Sequence, residues 1–276
     1  AFGRLYEYNP KAVSGTLARA VMTSEDEYLL AEASAVLAEL ADPATAAALA
    51  GLLKSPYPEV KQNATWALYK LGNTGNTRMI EDLKRLITSE TEPMAVRINS
   101  VRTLGRLGTV NEDIVQTLTT VVKMRGEKYG MLRYFAVRAL GDLGSTSLGD
   151  TEGDTAELLA RIAVSEKDPL IKTAALDAVR EIGSSTEGVV SSLEGLFKRS
   201  EDNEVRTLVL EALGDLGSPA AGELAEGLGF AGLTSGQKQR IVYALAQSGS
   251  EKGYLRIIEY SLDGDVSELS VTVLRE

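Results

Sequence analysis

The sequence predicts an all-α chain folded as a right-handed α-solenoid, a superhelix of about seven helix-pair repeats. Three observations predict it. One phrase recurs, as "WALYKLGN" (66–73), "VRTLGRLGT" (101–109), "VRALGDLGS" (137–145), "LDAVREIGS" (176–184), "LEALGDLGS" (210–218) and "YALAQSGS" (243–250). The phrase anchors Leu40, Leu71, Leu107, Leu143, Ile182, Leu216 and Ser248 are spaced by 31, 36, 36, 39, 34 and 32 residues, the range of paired-helix repeats. Between the phrases, apolar residues fall at helical spacing. The reading treats 1–276 as one solenoid domain, with 1–26 as an N-terminal cap region and 27–276 as the repeats.

Each repeat reads as two helices joined by a short polar turn. First helices are expected in "TAAALAGLLKS" (45–55), "MIEDLKRLIT" (79–88), "IVQTLTTVVKM" (114–124) and "GVVSSLEGLFKR" (188–199). The turns "PYPE" (56–59), "ETEPM" (90–94), "EKDP" (166–169) and "SEDNE" (200–204) follow, where Pro and acidic residues stop one helix and start the next. Second helices carry the phrase. They are expected near 27–41, 59–71, 94–107, 130–143, 169–182, 203–216, 236–248 and 265–275. Gly72, Gly108, Gly144, Gly183, Gly217 and Gly249 fall where a left-handed residue closes a helix. "GSTSLGDTEGD" (144–154) is expected to be the longest and most flexible loop. Phe2, Leu5, Tyr6 and Tyr8 are expected to cap the apolar end of the first repeat.

Composition narrows the chemistry. The chain has neither Cys nor His, which removes disulfides, thiolate nucleophiles, the usual zinc sites and histidine bases. No metal site and no cofactor are expected. Alternating carboxylates at Asp150, Glu152 and Asp154 hint at calcium, but the pattern then needs Gly at 155 and Glu at 161, where Thr155 and Arg161 stand. No run of about 18 apolar residues is present, so no membrane span is expected. The net charge of -10 opposes a nucleic-acid partner, but it is unevenly spread. Residues 60–140 hold 13 Lys and Arg against 7 Asp and Glu, and the rest hold 16 against 32. Absent Cys and the start at Ala1 lean toward an extracytoplasmic space.

The repeats resemble HEAT repeats, and most closely the bacterial HEAT-like type of the phycobilisome lyases. The family's Val-Arg opening of the second helix stands here as Val60-Lys61, Val96-Arg97, Leu132-Arg133, Ile171-Lys172 and Val205-Arg206, followed by an Ala/Leu stripe ending in Leu-Gly. The resemblance covers roughly residues 27–275. It implies an armadillo-like superhelix whose second helices line a concave face, a bacterial source, and a basic column at Lys61, Arg97, Arg133, Lys172, Arg206 and Lys238 that braces neighbouring repeats. Gly105 with Gly108, Gly141 with Gly144 and Gly214 with Gly217 follow no strand, so they read as close helix contacts and not as nucleotide loops.

Everything found is periodic, which favours a noncatalytic scaffold over an enzyme. The candidate partner-binding residues are Trp66, Tyr69, Arg102, Arg106, Tyr134, Phe135 and Arg138, since aromatic and Arg side chains are favoured protein-binding anchors. The expected partner is a protein, through an acidic or amphipathic segment. Two alternatives stay open. One is a HEAT-like DNA glycosylase using Trp66, Tyr69, Arg102, Arg138, Asp142 and Asp177, opposed by the net acidity. The other is a pigment-lyase or chaperone-like role. HEAT-repeat metal hydroxylases need His ligands, which this chain lacks.

Overall fold

A computed structural model describes residues 9–72, 77–107, 112–146, 150–230 and 232–275. These are helical, with no strand among them. They fall into two compact units, residues 1–146 and 147–276. The first unit contains α1 (Pro10–Thr23), α2 (Glu27–Leu40), α3 (Ala46–Leu52), α4 (Pro58–Leu71), α5 (Ile80–Thr88), α6 (Met94–Gly105), α7 (Glu112–Val122) and α8 (Gly130–Thr146). The second contains α9 (Asp150–Ser165), α10 (Pro169–Ile182), α11 (Glu187–Arg199), α12 (Asn203–Asp215), α13 (Ala220–Ala225), α14 (Ser235–Gln247), α15 (Glu251–Tyr260) and α16 (Ser267–Val273). Odd-numbered helices are the first members of each pair and even-numbered helices the second, which makes the fold an α-solenoid.

Local chemistry sets the boundaries. Pro58 and Pro169 open α4 and α10, where a missing N–H costs nothing. Asp26, Asp168 and Asp202 accept hydrogen bonds from the first backbone amides of α2, α10 and α12. Thr234 and Gln237 open α14 with a reciprocal capping box. Gly183 closes α10 in the left-handed conformation, as its place after the phrase predicts.

Two features differ from the sequence reading. Gly144 closes nothing, because α8 continues through it to Thr146. The expected long loop over 144–154 is mostly helix, since α9 begins at Asp150. Ala156, Leu159, Ala160 and Ala163 are fully buried along one face of α9, and that packing outweighs the turn-forming residues before them. The side chains of Asp150, Glu152 and Asp154 lie outside the described residues, as do Gly108 and the expected cap cluster Phe2, Leu5, Tyr6 and Tyr8.

Within the first unit α2, α4, α6 and α8 stack closely in sequence, whereas α3, α5 and α7 touch one another sparsely. The even helices are therefore the inner side of that unit. Small residues set their separation. A Cβ on Gly105 of α6 would lie 2.7 Å from both Cα and Cβ of Ala139 on α8. In the second unit a Cβ on Gly214 of α12 would lie 2.3 Å from the carbonyl oxygen of Ala244 on α14. Leu68, Leu104, Leu132, Leu140, Leu210 and Leu213 fill the cores behind these contacts, fully buried.

Candidate functional site

All seven candidate residues gather on the even-helix side of the first unit. Trp66 and Tyr69 stand on α4, Arg102 on α6, Arg106 just past its end, and Tyr134, Phe135 and Arg138 on α8. They fall there because they occupy positions in or just before the phrase that face away from the core, beside buried Ala67, Leu104 and Ala139. Trp66 is 39% exposed, Arg106 is exposed, and the other five are half-buried.

Arg102 is the centre of the cluster. Its guanidinium carbon lies 3.8 Å from the centroid of the Tyr69 ring, and 5.1 Å from those of Trp66 and Phe135. Arg106 lies 5.1 Å from the Tyr69 ring. Trp66 and Tyr69 are themselves 5.4 Å apart, and Tyr134 meets Phe135 edge to face at 5.2 Å. Burial pushes the Tyr69 phenol up, but hydrogen bonds from Arg102 and Arg106 and their charges outweigh it, so the phenol titrates below its ordinary 10.0. Among the described residues no carboxylate forms an ion pair with Arg102 or Arg106.

A groove of about 730 Å³ runs beside these residues, lined by Tyr69, Arg102, Arg106, Phe135, Arg138 and Asp142 among others. Gly105 and Ala139 also line it, so the small residues that bring α6 and α8 together leave the groove its depth. In sequence Gly105 reads only as a close helix contact, and Ala139 carries no signal. The groove emerges when two helices are set side by side.

The same stripe in the second unit is closed by its own charges. Arg180 donates to Asp215 at 2.5 Å and lies 3.9 Å from Glu211. Arg240 donates to Glu211 through both arms of its fork, at 2.7 and 2.5 Å, and to Glu204 at 2.6 Å. The Arg240 bond, aided by Gln237, holds the Glu204 carboxyl below its ordinary 4.5 against the opposing effect of burial. A lowered folded value means that the stabilisation is complete above pH 4.5 and is lost as pH falls through the folded value. Arg240→Met is therefore expected to flatten the fall in stability as pH drops below 4.5. Urea midpoints across that range check it, and an unchanged acid slope would refute the assignment.

Five of the six residues of the basic column are tied into the fold, Lys61 and Lys238 to acids of the following repeat's turn and Arg97 and Arg133 to carbonyls within their own repeat. Lys61 pairs with Glu92, and Lys238 with Asp263 and Asp265, each in the following turn. Arg97 donates to the Ile87 carbonyl and Arg133 to the Val122 carbonyl, both at 2.9 Å, tying each even helix to the end of the odd helix before it. Arg206 stacks over Phe197 at 5.6 Å. Among the described residues no group of three or more acids could hold a metal ion, and no helix is long and apolar enough to cross a membrane.

Stacked helix pairs with a recurrent second-helix phrase define a repeat protein of the α-solenoid class. The chain belongs to the HEAT repeats, whose family model matches residues 15–94 and 124–214. Yeast importin-beta is similar in structure at a TM-score of 0.65 and 14% identity, over 98% of this chain and 38% of that one. An engineered protein is similar at 0.57 and 21% identity, over 90% of this chain and 71% of that one. The complex of CpcE and CpcF of phycocyanin lyase from a Nostoc species reaches 0.45 at 20% identity, over 88% and 91%. At these identities the likenesses with TM-scores above 0.5 show the fold alone. No curated protein sequence matches the chain.

Proposed function

We propose that the chain is a noncatalytic protein-binding scaffold, and that an acidic or amphipathic segment of a protein partner binds the inner, even-helix side of its first unit. Trp66, Tyr69, Arg102, Arg106, Tyr134, Phe135 and Arg138 make the contact. One observation carries this reading. Two cations stand there without a counter-ion, wrapped by exposed or half-buried aromatic rings, while the equivalent stripe of the second unit neutralises itself. Aromatic and Arg side chains around a groove are the residue types that dominate binding energy at protein interfaces. HEAT and armadillo repeats typically serve as interaction surfaces.

The test is affinity capture from the source cell's lysate, with the intact chain beside Trp66→Ala/Arg102→Glu/Arg138→Glu. A protein retained by the intact chain and lost by the variant is the expected result. Identical captures by the two would place the binding surface elsewhere. Nuclease-sensitive capture would favour a nucleic acid instead.

A further inference from the structure

The two stripes are versions of one lattice. Aligned on their phrases, α4, α6 and α8 correspond to α10, α12 and α14. Tyr69 then falls with Arg180, Arg102 with Glu211, Arg106 with Asp215, and Phe135 with Arg240. The contacts correspond as well. Tyr69 touches Arg102 and Arg106, as Arg180 touches Glu211 and Asp215. Phe135 touches Arg102, as Arg240 touches Glu211. Gly105 meets Ala139 as Gly214 meets Ala244. What changes is the chemistry. At these four positions the second unit sets Arg180 and Arg240 against Glu211 and Asp215, with Glu204 a further acceptor for Arg240, whereas the first sets Arg102 and Arg106 against the rings of Tyr69 and Phe135, with Trp66 beside them and no ion-paired carboxylate among the described residues.

We propose, resting on the protein-binding reading above, that the first-unit groove recognises a pair of carboxylates one helical turn apart on a helical segment of the partner. The count follows from the charge, since Arg102 and Arg106 each lack a counter-ion that their equivalents in the second unit possess. The spacing follows from the register. Arg102 on α6 and Arg106 just past its end are four residues apart in the chain, and acids four apart on a helix, about 5–6 Å from each other, match that separation. The geometry of Arg102 also selects a carboxylate. Three rings surround its guanidinium, no carboxylate pairs with it among the described residues, and a guanidinium is a planar fork that a carboxylate matches. At about 730 Å³ the groove holds side chains and not a helix backbone, so the partner helix rides above it and lowers two acids into it.

The experiment uses the full chain and a labelled Ala-rich helical peptide with two Glu four residues apart, read by fluorescence anisotropy. Peptides with Gln at both sites, with one Glu, or with one phosphoserine are compared. The Glu pair is expected to bind about tenfold or more tighter than the Gln pair, with affinity falling as salt rises. Tyr69→Arg/Arg102→Glu/Arg106→Asp/Phe135→Arg writes the second unit's ion-paired pattern into the first, and it should keep the helical circular dichroism while losing the preference. The converse, Arg180→Tyr/Glu211→Arg/Asp215→Arg/Arg240→Phe, should gain a second peptide site.

Equal binding of the Glu and Gln peptides would overturn the proposal, as would a single Glu binding as tightly as the pair. Tighter binding of the phosphoserine peptide would replace the carboxylate pair by one phosphoryl group. If partner capture depends on Trp66, Arg102 and Arg138 while the peptides show no charge preference, this inference fails and the scaffold reading stands. A charge-selective groove with capture untouched by those substitutions would fail the scaffold reading instead.

Discussion

Gly214→Val should destabilise the chain by about 3 kcal/mol, the upper end for forcing extra carbon into a packed core. The Cβ would sit 2.3 Å from the carbonyl oxygen and 2.7 Å from the Cα of Ala244. These are backbone atoms, and no side chain can rotate out of the way. Helices α12 and α14 must move apart, and every buried side chain behind the contact loses neighbours. Replacing a helical glycine returns less than about 1 kcal/mol of helix propensity, too little to offset this. Gly15 in α1 is the control, since nothing lies within 4 Å of a Cβ placed there. Gly15→Ala should stabilise by about 0.5–1 kcal/mol. Urea unfolding followed by circular dichroism reads both, and midpoints that move together in one direction would contradict the packing argument.

Arg97→Ala should cost a further sort of stability, about 3 kcal/mol. Arg97 is 3% exposed. Its Nε donates to the Ile87 carbonyl at 2.9 Å, and its guanidinium lies 5.4 Å from the Tyr129 ring centroid. Truncation leaves a cavity and an unsatisfied carbonyl at the end of α5. Trp66, the sole tryptophan, lies in the same unit, so its fluorescence follows the transition. The outcome discriminates between a brace and a basic surface for an anionic ligand. Full stability in Arg97→Ala with weakened partner binding would make the basic column a binding surface.

The even helices were legible because three constraints coincide in each. A turn residue opens the helix, an apolar stripe faces inward, and the Leu-Gly ending fixes the register. Expected spans such as 169–182 and 94–107 meet α10 (Pro169–Ile182) and α6 (Met94–Gly105). The first turns of α9 were not legible. Asp150, Gly153 and Asp154 read locally as a loop, and the burial that makes them helical comes from residues farther along the chain. The brace partners were hidden for a related reason. Lys61 reaches Glu92, 31 residues away, although Glu59 is closer in sequence. The stripe residues themselves were readable as outward positions on a helical period. Their contacts were not, because Tyr69, Arg102 and Phe135 belong to three different repeats and meet only when those repeats stack.

The phrase also divides its labour by position. In the first unit Val101, Leu104 and Leu107 are buried and Gly105 touches the next helix, while Arg102 and Arg106 turn outward. In the second unit Leu210 and Leu213 are fully buried, Gly214 touches its neighbour, and Glu211 and Asp215 take the outward places. Both charges have been inverted without altering the interior. The outward charges of a repeat can therefore be exchanged while its packing positions stay as they are. An array of this kind can change its surface chemistry more readily than a fold whose outward residues also form its core.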